Sequence, residues 1–171
     1  MLDSCMCEPV HETGGKLSEE TTAWMKMQLE EAKKQGVTVI PVSHHNLLDE
    51  STLYPEECTI ENTKEVTALL EAYGVPVYLS GHLHLQRIKK HTSNLNTPGG
   101  YGIREIVTSP LPMAPCQYSI LNWQADGSLS YHTKKVDIAG WAQRYGEEDE
   151  NLLNFDAYAD QFLVDVISKQ A

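Results

Sequence analysis

No stretch of this sequence approaches the roughly 20 consecutive apolar residues that a bilayer-spanning helix needs, so no transmembrane segment is expected. The opening Leu2-Asp3 and the Cys-rich turn after it form neither a basic n-region nor an apolar h-region, and no signal peptide is expected at this end. Basic residues are scarce: 13 Lys and Arg stand against 24 Asp and Glu, for a formal charge of -11. Phosphate contacts need a basic surface, so a nucleic-acid backbone is not an expected partner. Cysteine is sparse as well. Cys5, Cys7, Cys58 and Cys116 are spaced for neither a zinc ribbon nor a dense disulfide framework, and free thiols are expected even at Cys5-x-Cys7, where His11 lies near. The chain lacks an internal repeat, a low-complexity tract and any Gly-x-Ser-x-Gly elbow around Ser4, Ser43 or Ser109, which argues against a serine hydrolase. The glycine-rich Pro98–Gly102 stretch leads into a strand and not a helix, so it cannot cradle phosphate at a helix N-terminus.

What is present suits a soluble α/β chain of 171 residues, long enough for a real core. Residues 17–36 read as a helix, with Ser18 as N-cap, Glu19 and Glu20 in the positive first turn and Gly36 as the stop. Trp24, Met27 and the Leu29–Ala32 region give it an apolar side. Val37–Val42 reads as a buried strand, weakened by Pro41, which has no N–H for a ladder. A polar loop follows from Asp49 to Cys58. Residues 61–73 read as a second helix and Val75–Leu79 as the next buried strand. This helix-strand alternation suggests parallel pairing with helical crossovers. Ile103–Thr108, Tyr118–Trp123 and Ser128–Val136 read as further strands, the last two joined at Asp126-Gly127, a strong hairpin signal. Glu147–Glu150 is a solvated acidic run, and Leu152–Ile167 an amphipathic helix that needs a surface to cover it.

Histidines stand where two of these strands end. Parallel α/β sheets carry their binding groups there. The first cluster is Ser43-His44-His45-Asn46, the second Ser80-Gly81-His82-Leu83-His84. On an extended segment, His-x-His puts both imidazoles on one side with Cα atoms about 6.6 Å apart. That suits two ions about 3.5–4 Å apart, each held by one histidine. Imidazole ligates Zn, Fe, Mn or Ni. Each cluster also has a plain reading: one buried, hydrogen-bonded histidine beside a solvent histidine at 44 and 45, and an unligated pair at 82 and 84. His91 and His132 have no partner at ligand spacing and read as ordinary.

Gly81-His82-Leu83-His84 matches the GHxH signature of the calcineurin-like metallophosphoesterases, and Ser43-His44-His45-Asn46 resembles the histidine motif that precedes it. Leu2-Asp3-Ser4, then Gly14-Gly15-Lys16-Leu17-Ser18, Trp24 and Leu29, resemble the cyclic-nucleotide and glycerophosphodiester phosphodiesterase branch. Ile106–Pro110 and the hairpin also fit that family. The resemblance runs from the start of the chain to about Val136. It implies part of a two-sheet αββα sandwich. It divides the chain into residues 1–146, the C-terminal portion of a phosphoesterase domain, and residues 147–171, an acidic linker and amphipathic helix. It implies that His44 and His82 ligate one metal and His84 the other, while His45 is not a direct ligand. Asn46 stands where proline is common.

The same resemblance implies two divalent ions (Mn, Fe or Zn) bridged by a hydroxide that attacks a phosphodiester or phosphomonoester in line. The family's early DxH, GD and GNHE motifs are missing from this sequence. The expectation is therefore a fragment carrying the distal histidines, poorly active alone, that pairs with an N-terminal half or with itself. The competing expectation is a non-catalytic metal-binding or interaction module.

Overall fold

The computed structural model describes residues 1–7, 12–48, 56–91 and 102–170. The expected Asp49–Cys58 loop lies mostly outside them, as do His11 and most of the glycine-rich stretch. The architecture is mixed α/β, with two small sheets and a C-terminal helix, so the expected α/β class with a helical tail is met. The chain forms two compact units, Met1–Val107 and Thr108–Ala171.

In the first unit, α1 spans Glu19–Gln35. Ser18 caps it by accepting from Thr21 N–H, and Gly36 ends it with φ 67°, a left-handed conformation that glycine adopts without a Cβ penalty. The buried stripe is Met25, Leu29 and Ala32. Trp24 and Met27, expected on the apolar side, are exposed instead. The 3.6-residue period favours positions 25, 29 and 32, and 24 and 27 fall off that line. Helix α2, Thr63–Ala72, buries Val66, Thr67 and Leu70.

Strands β1 (Val77–Ser80), β2 (Arg87–Lys90) and β3 (Arg104–Val107) form a sheet in the order β1-β3-β2. β1 and β3 are parallel; β2 and β3 are antiparallel. Val37–Val42 does not form the expected strand. It touches the sheet only through a parallel bridge from Val42 to Leu79, and Val37 and Ile40 are exposed. Pro41 has no N–H to give, so only its carbonyl joins, accepting from Leu79 N–H at 3.0 Å. The core gathers Leu2, Leu17, Leu29, Leu47, Ile60 and Leu70 with their neighbours.

In the second unit, β4 (Gln117–Trp123) and β5 (Leu129–Lys135) pair antiparallel. Gly127, at φ 82°, makes the expected turn. Helix α3, Ile138–Tyr145, is absent from the sequence expectations, although Asp137 caps it and Gly146 ends it in the left-handed region. The tail divides into α4 (Glu150–Leu153) and α5 (Phe155–Gln170), separated at Asn154. Within the acidic run, Asp149 caps α4. The salt bridge Lys135–Asp156, 2.7 Å, ties β5 to α5.

Candidate functional site

The two histidine clusters meet at the C-terminal end of β1. Ser43 N–H donates to Leu79 O at 3.1 Å, and Gly81 N–H donates to His44 O at 3.0 Å. The chain leaving Val42 therefore runs beside the chain leaving β1 and stays hydrogen-bonded to it past the strand end. Tyr78 fixes the first loop from below. Its hydroxyl donates to Ser43 Oγ at 2.8 Å, and Ser43 Oγ donates to His45 O at 2.6 Å. Burial pushes the Tyr78 phenol up to about 12, with the Ser43 bond opposing.

His44 Nε2 and His82 Nδ1 face each other at 2.9 Å. One of the two nitrogens carries a proton and the other a lone pair. Burial lowers the pKa of both rings, and the charges of His45 and His84 lower it further. His44 adds to that effect on His82, while Glu57 opposes it. Near neutral pH the pair is thus an uncharged donor set. His45 stacks in at 4.6 Å from His82 and 5.1 Å from His44 between ring centroids. It is buried, and both its ring nitrogens are engaged. Nε2 lies 3.0 Å from Thr13 O, an atom that only accepts, so Nε2 holds the proton. Nδ1 then accepts from Ser4 Oγ–H at 2.9 Å. Gly15 makes this approach possible, because a Cβ there would stand 2.3 Å from the His45 ring.

The segment after β1 is not extended. His82 and His84 both have positive φ, 62° and 54°, and Leu83 N–H turns back to Gly81 O at 2.7 Å. The even alternation expected of His-x-His does not operate. His82 turns in to meet His44, and His84 sits exposed, acting on both rings through its charge.

A buried ion pair supports both loops. Lys89 and Glu105 sit opposite each other on β2 and β3, 2% and 0% exposed, with Nζ 3.5 Å from Oε2. The Glu105 carboxylate accepts from Leu47 N–H (2.6 Å), Leu48 N–H (2.8 Å) and Ser80 Oγ–H (2.6 Å). Lys89 donates to Asn46 Oδ1 (3.0 Å) and Leu48 O (2.6 Å). Neither charge was expected here. The signal in the sequence is Glu105 within the run Ile103–Val107, where its neighbour Arg104 is the exposed charge and Glu105 the buried one. Nothing local marks Lys89, since its flanking Ile88 is exposed and the usual inward order is reversed.

The 2.9 Å between the two imidazole nitrogens is a hydrogen bond, so a shared ion would take the place of the bridging proton and spread them to the roughly 3.3 Å of two tetrahedral ligands. Among the described residues, however, no group of three or more His, Cys, Asp and Glu is arranged to hold one. The pair fits as part of a coordination shell. All four cysteines are free thiols.

None of the curated proteins matches the chain. A solved structure, a dimetal phosphatase from Danio rerio, is similar at 20% identity with a TM-score of 0.42, over 56% of this chain and 27% of that one. This chain thus spans little more than a quarter of that protein's length. A model of the C-terminal domain of cyclic nucleotide phosphodiesterase matches residues 137–171, the stretch that forms α3, α4 and α5. The similarity to that phosphodiesterase domain is thus confined to the helical segment.

Proposed function

We propose that this chain is the histidine-bearing portion of a metal-dependent phosphoric ester hydrolase of the calcineurin-like type, and that His44, His82 and His84 are metal ligands. The observation that supports it most is the convergence of His44 Nε2 and His82 Nδ1 to 2.9 Å at the end of a parallel strand. Bound divalent ions would supply an activated water and neutralise phosphoryl charge. The chain's own residues lower the pKa of both rings, keep His45 out of the ligand set by occupying both its nitrogens, and leave His84 exposed on the same turn. The remaining ligands come from a second polypeptide segment, supplied by an N-terminal half or by another copy.

Titration of the chain with Mn²⁺ and Zn²⁺ by calorimetry tests this reading, with an aryl phosphodiester as substrate. Binding that His82→Ala weakens at least about tenfold is expected, since one lost imidazole removes an inner ligand. Turnover by the isolated chain is expected to be poor. Robust turnover abolished by His82→Ala would show that the chain holds a complete site, and absence of any ion binding would overturn the reading. One observation favours a second reading, a non-catalytic metal-binding or interaction module: the described residues hold no three-ligand group. Under that reading, addition of the N-terminal half restores no turnover.

A further inference from the structure

Asn46 is wholly buried, and every polar atom of its side chain is spoken for. Nδ2 donates to Gly81 O at 2.8 Å and to Ser80 Oγ at 3.1 Å. Oδ1 accepts from Lys89 Nζ at 3.0 Å. Its backbone is pinned as well, N–H to Cys58 O and carbonyl to Ile60 N–H, both at 2.9 Å. The direction of the side-chain bonds follows from chemistry. Glu105 accepts only, so Ser80 Oγ gives it the hydroxyl proton and must itself accept from Asn46. Lys89 donates only, so it faces the amide oxygen. The carboxylate, hydroxyl, amide and ammonium thus form one oriented chain from β3 and β2 to the turn after β1.

That turn costs free energy to hold. His82 and His84 lack glycine's freedom yet both lie in the left-handed region, where a Cβ crowds the backbone. Strain of this kind persists only where the surroundings over-determine the backbone. Here the Gly81 peptide is held on both sides, by His44 O at its N–H and by the Asn46 amide at its carbonyl. We propose that Asn46 is a positioning residue that clamps the Gly81–His84 turn to the His44 loop and so sets the separation of His44 Nε2 from His82 Nδ1. The link to ion binding rests on the function proposed above; the positioning of the rings does not.

The test uses Asn46→Ala and Asn46→Asp in the full chain. Aspartate keeps the size and the Lys89 contact but cannot donate to Gly81 O, so it should behave as alanine does. Val66→Ala, a cavity in α2 away from this network, controls for lost stability. Two readouts are compared at matched folded fraction. Long-range ¹H–¹⁵N spectra of the histidine rings report whether His44 and His82 hold fixed tautomers, and calorimetry reports Mn²⁺ affinity. Both Asn46 variants are expected to release the fixed tautomer pair and to weaken Mn²⁺ binding about 10- to 100-fold, as loss of a residue supporting a ligand does. Val66→Ala should leave both readouts at the wild-type value. Where Asn46→Ala does not fold, Asn46→Asp carries the test, and Ser80→Ala, which removes one Asn46 partner, stands behind it. Retention of the fixed pair in a folded Asn46 variant, or an equal change in Val66→Ala, overturns the proposal. If the wild-type chain takes no Mn²⁺, the functional reading fails while the ring spectra still decide the role of Asn46.

Discussion

A methyl group added at Gly15 would fall 2.3 Å from His45 Cγ and 2.6 Å from Nδ1. The ring cannot yield cheaply, because Ser4 and Thr13 hold its two nitrogens. Gly15→Ala is therefore expected to cost about 1–3 kcal/mol, the usual range for overpacking, and to shift the His45 ring resonances. An unchanged denaturation midpoint would show that the loop relaxes around the clash. Tyr78 makes a different kind of prediction. Its folded pKa is raised from 10.0 to about 12, so the folded state favours the protonated phenol. That contribution is present in full below pH 10 and is lost as pH rises from 10 towards 12. At 1.36 kcal/mol per unit, the loss reaches about 2–3 kcal/mol. Urea midpoints measured across that window should fall more steeply for the wild type than for Tyr78→Phe, and parallel curves would contradict it.

At the scale of elements, both caps of α1 and the turn of the hairpin follow from side-chain chemistry. Ser18 Oγ accepts from Thr21 N–H at 3.0 Å, and Ser18→Ala should cost about 1 kcal/mol. Gly127 lies at φ 82° with open space around it, so Gly127→Ala meets no clash and pays only for the left-handed backbone, about 1–2 kcal/mol. Thermal melts of the two variants check both figures, and a Gly127→Ala chain as stable as the wild type would mean that the turn changes type. Two segments misled the sequence reading through inverted or unfulfilled patterns. β2 buries Lys89 and exposes Ile88, so hydrophobic alternation points the wrong way. Val37–Val42 carries a strand's composition but finds only one bridge.

At the scale of the whole molecule, apolar surface is left open. Trp24, Val37 and Ile40 are exposed along a groove of about 370 Å³ between α1 and the segment that follows it. In that segment the regular ladder is missing. Extended backbone and large apolar patches both promote association. The chain alone is therefore expected to associate with itself in sedimentation velocity runs, and to become discrete when paired with an N-terminal half. A monodisperse monomer with a cooperative melt would show that it buries enough on its own.

The sequence by itself determined α1 with both its caps, the hairpin at Asp126-Gly127 and the two places where histidines cluster, because each rests on residues near in sequence. Only the tertiary structure decided which histidine meets which. His44 and His82 lie far apart along the chain, and their approach depends on Lys89 and Glu105 pairing across β2 and β3, on Asn46 reading that pair, and on Gly15 leaving room for His45. Buried polar groups must find partners wherever the fold brings them. No local pattern records those partners, so the network beneath the histidines appears only once the chain is folded.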